Sequence, residues 1–114
     1  MSLKIPRGFR GSAASGGLDA LQYEIVQEKA ATLARIGRKL EAALASLAEF
    51  DARTSGAADA KAEREELVAA AGEALWYFVI QREVVGLRDT EAVLRHLQVP
   101  REVRLRMGLR PRHP

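Results

Sequence analysis

Apolar residues in this chain recur at helical spacing and do not alternate long enough for a strand. Val26, Leu33, Leu40 and Leu47 repeat every seven positions between Leu18 and about Phe50, with Ile36, Ala43 and Phe50 falling between them. This is one apolar stripe on a helix of roughly 50 Å at 1.5 Å per residue. The opposite face carries Glu28, Arg35, Arg38, Glu41 and Glu49, a solvated surface. Gln22 and Lys29 interrupt the stripe near its start, so the first turns are expected to be less buried.

The segment DARTSGAAD, residues 51–59, breaks the pattern and reads as the turn of a helical hairpin. A second helix is predicted from about Ala60 to Val85. Its first turns, KAEREE, are charged and are expected to project beyond the core. From Leu67 onward it is apolar: Leu67, Ala71, Ala74, Phe78 and Val85 share one stripe, while Trp76, Val79, Ile80 and Val84 occupy other faces. A helix apolar all round is buried on more than one side. One hairpin partner cannot cover both, so either the C-terminal residues fold back or a second copy supplies the cover.

Gly86 is placed to end that helix in the left-handed conformation. Asp89 or Thr90 can cap a short third helix running to His96 or Leu97, and Pro100 opens a fourth, PREVRLRM, that Gly108 stops. The predicted class is all-α, a long antiparallel helical hairpin with two short C-terminal helices packed against it. Residues 1–17, rich in glycine and serine, read as a flexible basic arm, residues 18–108 as a single helical domain, and residues 109–114 as a disordered tail.

Charge is unevenly spread behind a net of +3. Residues 1–17 hold three bases and no acid; residues 18–85 hold 8 bases and 12 acids; residues 86–114 hold 7 arginines and 3 acids. Basic ends on an acidic body suit phosphate binding and self-association equally well. Cysteine is absent, which excludes disulfides, thiol catalysis and cysteine-bound zinc. The longest apolar run, ALWYFVI, is too short to span a bilayer, and the first residues lack the apolar core of a signal peptide. A cytoplasmic protein with no membrane association is the expectation.

The stretch QREVVGLRDTEAVLRHLQVP has the glycine turn of a DNA-binding helix-turn-helix. Two features oppose that reading. The preceding helix is long and apolar, and the would-be recognition helix opens with the acids Asp89 and Glu91. Arg101, Arg104 and Arg106 could contact phosphate, but no aromatic residues interleave them to stack bases. The only histidines are His96 and His113, and no catalytic triad, metal-spaced pair or glycine-rich phosphate loop can be assembled. No enzyme, metal or cofactor is expected. The polar cluster Gln81, Arg82, Glu83, Arg88 and Asp89 is read as tying a helix end to the next element through ion pairs, with a small pocket as the alternative.

The segments GGLDALQYEIVQEKAATLARIGRKLEAAL and ALWYFVIQREVVGLRDTEAVLRHLQVPREVRLRMG resemble a small bacterial family known only as a domain of unknown function. The resemblance covers most of residues 16–108 and implies a compact all-helical domain without an assigned activity, so it supplies no catalytic residues. On these grounds the chain is expected to be a non-enzymatic, homodimeric interaction module with Leu75, Trp76, Val79, Ile80 and Val84 at its interface. The alternative is a small nucleic-acid-binding regulator using residues 86–112. Gly37 and Gly72, each inside a helix and nearly equidistant from a turn centred near residue 55, are expected to mark the closest crossing of the two long helices.

Overall fold

The computed structural model describes residues 12–54 and 60–108. They form four helices: α1 (Ser12–Arg53), α2 (Ala60–Val84), α3 (Thr90–His96) and α4 (Arg101–Arg106). No strand occurs among the described residues, so the protein is all-α. Of the expected turn 51–59, residues 51–53 are still helical as the end of α1; residues 55–59, the tail and residues 1–11 of the arm lie outside the described residues.

Helix α1 begins at Ser12, six residues before the apolar pattern starts, so residues 12–17 are helical rather than a flexible arm. Gly16 and Gly17 each cost about 1 kcal/mol relative to alanine. Extending an existing helix needs only one hydrogen bond per residue fixed, and this tolerates them. The chain divides into two compact units, one ending at Thr32 and the other beginning at Leu33. In the first, every side chain from Gly16 to Ala31 is exposed, consistent with the interruptions at Gln22 and Lys29.

The second unit holds the core. Leu40 and Leu47 of α1 pack with Val68, Ala71, Leu75 and Phe78 of α2, Leu94 of α3 and Val103 of α4. Leu33, Ile36 and Ala43 pack against this cluster as partly buried residues. The seven-residue repeat of α1 therefore becomes a buried face from Leu33 onward. The helices run antiparallel: Asp51 pairs with Arg64, and Gly37 lies beside Phe78, whose ring edge would stand 3.4 Å from a Cβ at residue 37. Both pairs share one register, which sets residue 37 opposite residue 78 and not near residue 72.

That register separates Gly37 from Gly72. Gly72 faces α4: a Cβ there would lie 2.8 Å from the Arg106 Cβ and 3.1 Å from its carbonyl carbon and oxygen. The expected glycine-to-glycine crossing does not occur. Gly72 instead lets the backbones of α2 and α4 approach within 8 Å. A Cβ at residue 37 would make only ordinary van der Waals contact with the Phe78 ring.

Two helix ends share one geometry. After α2, Leu87 N–H donates to the Arg82 carbonyl (2.9 Å) and Gly86 N–H to that of Glu83 (3.0 Å), with Gly86 at φ 82°. This is the paired-bond termination that a left-handed residue permits. After α3, Val99 N–H donates to Leu94 (3.2 Å) and Gln98 N–H to Arg95 (3.0 Å) in the same way. Here the left-handed residue, at φ 57°, is Gln98. Asp89 precedes α3 at φ 62° and makes no side-chain capping bond. Its left-handed backbone replaces the extended one that capping requires. Pro100 caps α4 from the position before its first residue, and its carbonyl accepts from Val103 and Arg104 N–H.

Candidate functional site

The charged start of α2 does not project beyond the core. Arg64 spans three helices, donating from Nε and Nη2 to the Asp51 carboxylate of α1 (2.7 and 3.0 Å) and from Nη2 and Nη1 to the Glu102 carboxylate of α4 (2.5 and 3.1 Å). Its hydrogen bonds hold both carboxyls below their usual range, and the carboxylates in turn raise the guanidinium pKa. These residues form one wall of an open cleft of about 340 Å³ whose apolar lining includes Leu44, Leu47, Leu97 and Pro100. The polar groups on that wall are engaged with one another, so the network straps α4 onto the hairpin rather than offering itself to a ligand. Glu65 pairs with Arg106 in the same way, and Glu91 of α3 with Arg104 of α4 at 2.7 Å.

The polar cluster expected at residues 81–89 takes a different form. Arg82 is only 9% exposed. It donates from Nε to the Thr90 hydroxyl (3.2 Å) and from Nη2 to the Arg88 carbonyl (2.7 Å), with its guanidinium carbon 5.9 Å from the Phe78 ring centroid. It does tie the end of α2 to the next element, through a carbonyl and a hydroxyl. No ion pair among the described residues involves 81–89. The turn at Gly86 brings the Arg88 carbonyl to the guanidinium, while Glu83, Arg88 and Asp89 are exposed and Gln81 is half-buried.

The expected interface residues divide. Leu75 is 0% exposed and belongs to the core, and Val79 is partly buried against it. Trp76, Ile80 and Val84 are exposed at 39%, 40% and 63%, beside exposed Tyr77 and Leu87. Trp76 and Tyr77 stack obliquely with ring centroids 5.4 Å apart, and the Trp76 ring lies against Gly108, 3.8 Å from where its Cβ would be. The folded-back C-terminal helices thus cover one side of α2, and an apolar face with Trp76 at its head remains open. Of the three candidate phosphate contacts, Arg104 and Arg106 are engaged by carboxylates. Arg101 is exposed. Sequence reasoning missed the Arg64 strap because its partners stand 13 and 38 residues away. The excess of acid and base in KAEREE was the only local signal.

Among the described residues no three His, Asp or Glu side chains converge as a metal site, and no helix is long and apolar enough to cross a membrane. What the fold defines is a small helical hairpin closed at one end by two short helices. By sequence, the chain belongs to the family of unknown function DUF6665, whose model matches residues 2–114. Comparison with curated proteins and with solved structures found no significant match.

Proposed function

We propose that this chain is a non-enzymatic cytoplasmic module that associates with itself through the outer face of α2. The observation that carries the reading is the contiguous exposure of Trp76, Tyr77, Ile80 and Val84 on a helix whose other side is already core. Fully burying a large apolar side chain gains about 1.5–3 kcal/mol. These four are roughly half exposed, so eight of them in a twofold dimer supply on the order of 6–12 kcal/mol. Association itself costs about 4–15 kcal/mol, so this face favours pairing without guaranteeing tight binding.

Nucleic-acid binding through residues 86–112 is less favoured. Phosphate would have to displace Glu91 from Arg104 and Glu65 from Arg106, and Asp89 is exposed just before α3. Light scattering of the full chain at high micromolar concentration tests the self-association reading. A dimer mass that falls to monomer in Ile80→Glu is the expected result, and a monomer for the unaltered chain refutes it. Salt-sensitive retention on DNA with sequence preference would favour the regulator instead.

A further inference from the structure

The open face of α2 is bordered by acid alone. From Glu66 to Val84 the exposed charges are Glu66, Glu73 and Glu83. The one base in that span, Arg82, is buried and bonded to Thr90 and the Arg88 carbonyl. At about 100° per residue Glu73 falls among Trp76, Tyr77, Ile80 and Val84, and Glu83 borders the Trp76 side. Neither Glu73 nor Glu83 forms an ion pair among the described residues. A segment that brings apolar and basic side chains together therefore fits this face.

We propose that residues 109–114, Leu-Arg-Pro-Arg-His-Pro, lie along the outer face of α2 in their own chain, and that a second copy must displace them to associate. The cover stands on its own; only the competition rests on the self-association reading. Three observations favour this occupant. The first is direction. Glu102 meets Arg64, Arg106 meets Gly72 and Gly108 meets Trp76, so the chain runs alongside α2 in the same sense and arrives at the head of the open face. The second is reach. Pro111 and Pro114 bar a helix, and an extended chain advances about 3.1 Å per residue, roughly twice the rise of a helix. Counted from Gly108 at Trp76, Arg110 comes level with Ile80, and Arg112 with Val84 and its neighbour Glu83. The third is charge, because the segment carries two arginines and no acid. A segment joined at the edge of its site also meets it at an effective concentration of about millimolar, which favours the chain's own tail over a neighbour's.

No second tryptophan accompanies Trp76, so its emission reads the cover. The full chain and a chain shortened to end at Gly108 are compared in dilute solution, where sedimentation gives the monomer mass. Acrylamide should quench the shortened chain more strongly, with its emission at longer wavelength. Arg110→Glu with Arg112→Glu in the full chain should behave like the shortening, and adding Glu73→Arg and Glu83→Arg should restore the shielding, each variant being helical by circular dichroism. Equal quenching of the full and shortened chains overturns the cover. So does shielding that disappears on dilution, because it then belongs to a second copy. At high micromolar concentration in about 0.15 M salt, which screens the exposed acids, light scattering reads the competition. The shortened chain should dimerise about tenfold more tightly. Shielding without that gain leaves the cover and removes the competition. Full and shortened chains that are both monomeric remove the self-association reading, and the quenching still decides the cover.

Discussion

Adding one methyl group to either of two helical glycines should change stability in opposite directions. At residue 72 a Cβ would lie 2.8 Å from the Arg106 Cβ and 3.1 Å from its carbonyl carbon and oxygen. Carbon–carbon contacts are comfortable at about 3.5–4.0 Å, so α4 must retreat by several tenths of an ångström. Backbone cannot yield as a side-chain tip does, and α4 is also held by the Arg64–Glu102 and Glu65–Arg106 pairs. Overpacking of this kind costs about 1–3 kcal/mol. Alanine's helix propensity returns about 1 kcal/mol, leaving Gly72→Ala destabilised by on the order of 1 kcal/mol. At residue 37 the nearest atom, in the Phe78 ring, is 3.4 Å away, and Gly37→Ala should gain about 0.5–1 kcal/mol. The two variants would then differ by roughly 2 kcal/mol, several degrees or more in Tm for a domain of this size. Urea melts followed by circular dichroism, at one protein concentration because the proposed association would be linked to folding, measure both. If Gly72→Ala is as stable as Gly37→Ala, the close approach of α4 is not what residue 72 serves.

Gln98→Gly should stabilise by about 1 kcal/mol, because φ 57° costs a side-chain-bearing residue what glycine avoids; an unchanged or lower Tm contradicts this. Arg82→Ala should cost about 1.5–3 kcal/mol in a denaturant melt through loss of charge-assisted bonds to Thr90 and Arg88. Arg82→Lys should recover only part of it, since an ammonium lacks the guanidinium's planar fork. Unchanged stability with loss of ligand binding would favour the pocket reading of this cluster. The Asp51 and Glu102 carboxyls titrate below their ordinary values in the folded chain. Their contribution is therefore complete above about pH 4–5 and disappears as pH falls through the lowered values. Thermal melts from pH 7 to pH 2 should show this loss, and Arg64→Gln should lower Tm at pH 7 while flattening the acid side. An acid limb as steep as that of the unaltered chain would refute the strap.

Local chemistry carried the long elements and one helix end. Leu33, Leu40 and Leu47 describe a buried face because helical period and burial coincide there, and Gly86 marks its turn because a left-handed backbone favours glycine. Gln98 adopts the same conformation but carries no such mark, since the backbone bonds that close α3 and the packing of Val99 on the core hold it there against its preference. Arg82 was legible as a residue that ties two elements together. Its partner was not, because a carbonyl at residue 88 leaves no signature in side-chain type. Gly72 was noticed for its helix-breaking cost and then matched to the wrong neighbour. Residue 106 reaches it only after two intervening turns have set the direction of the chain.

Trp76 is the only tryptophan in the chain. Its indole stands at the head of the open α2 face, beside Tyr77 and against Gly108 just beyond α4. The protein thus carries an intrinsic optical reporter where the fold meets the proposed self-association face. Undocking of the chain's C-terminal end would expose one edge of the indole, and arrival of a second copy would shield its outer surface. Both events would move the same emission band, in opposite directions. Dilution would separate them, because only the shielding depends on concentration.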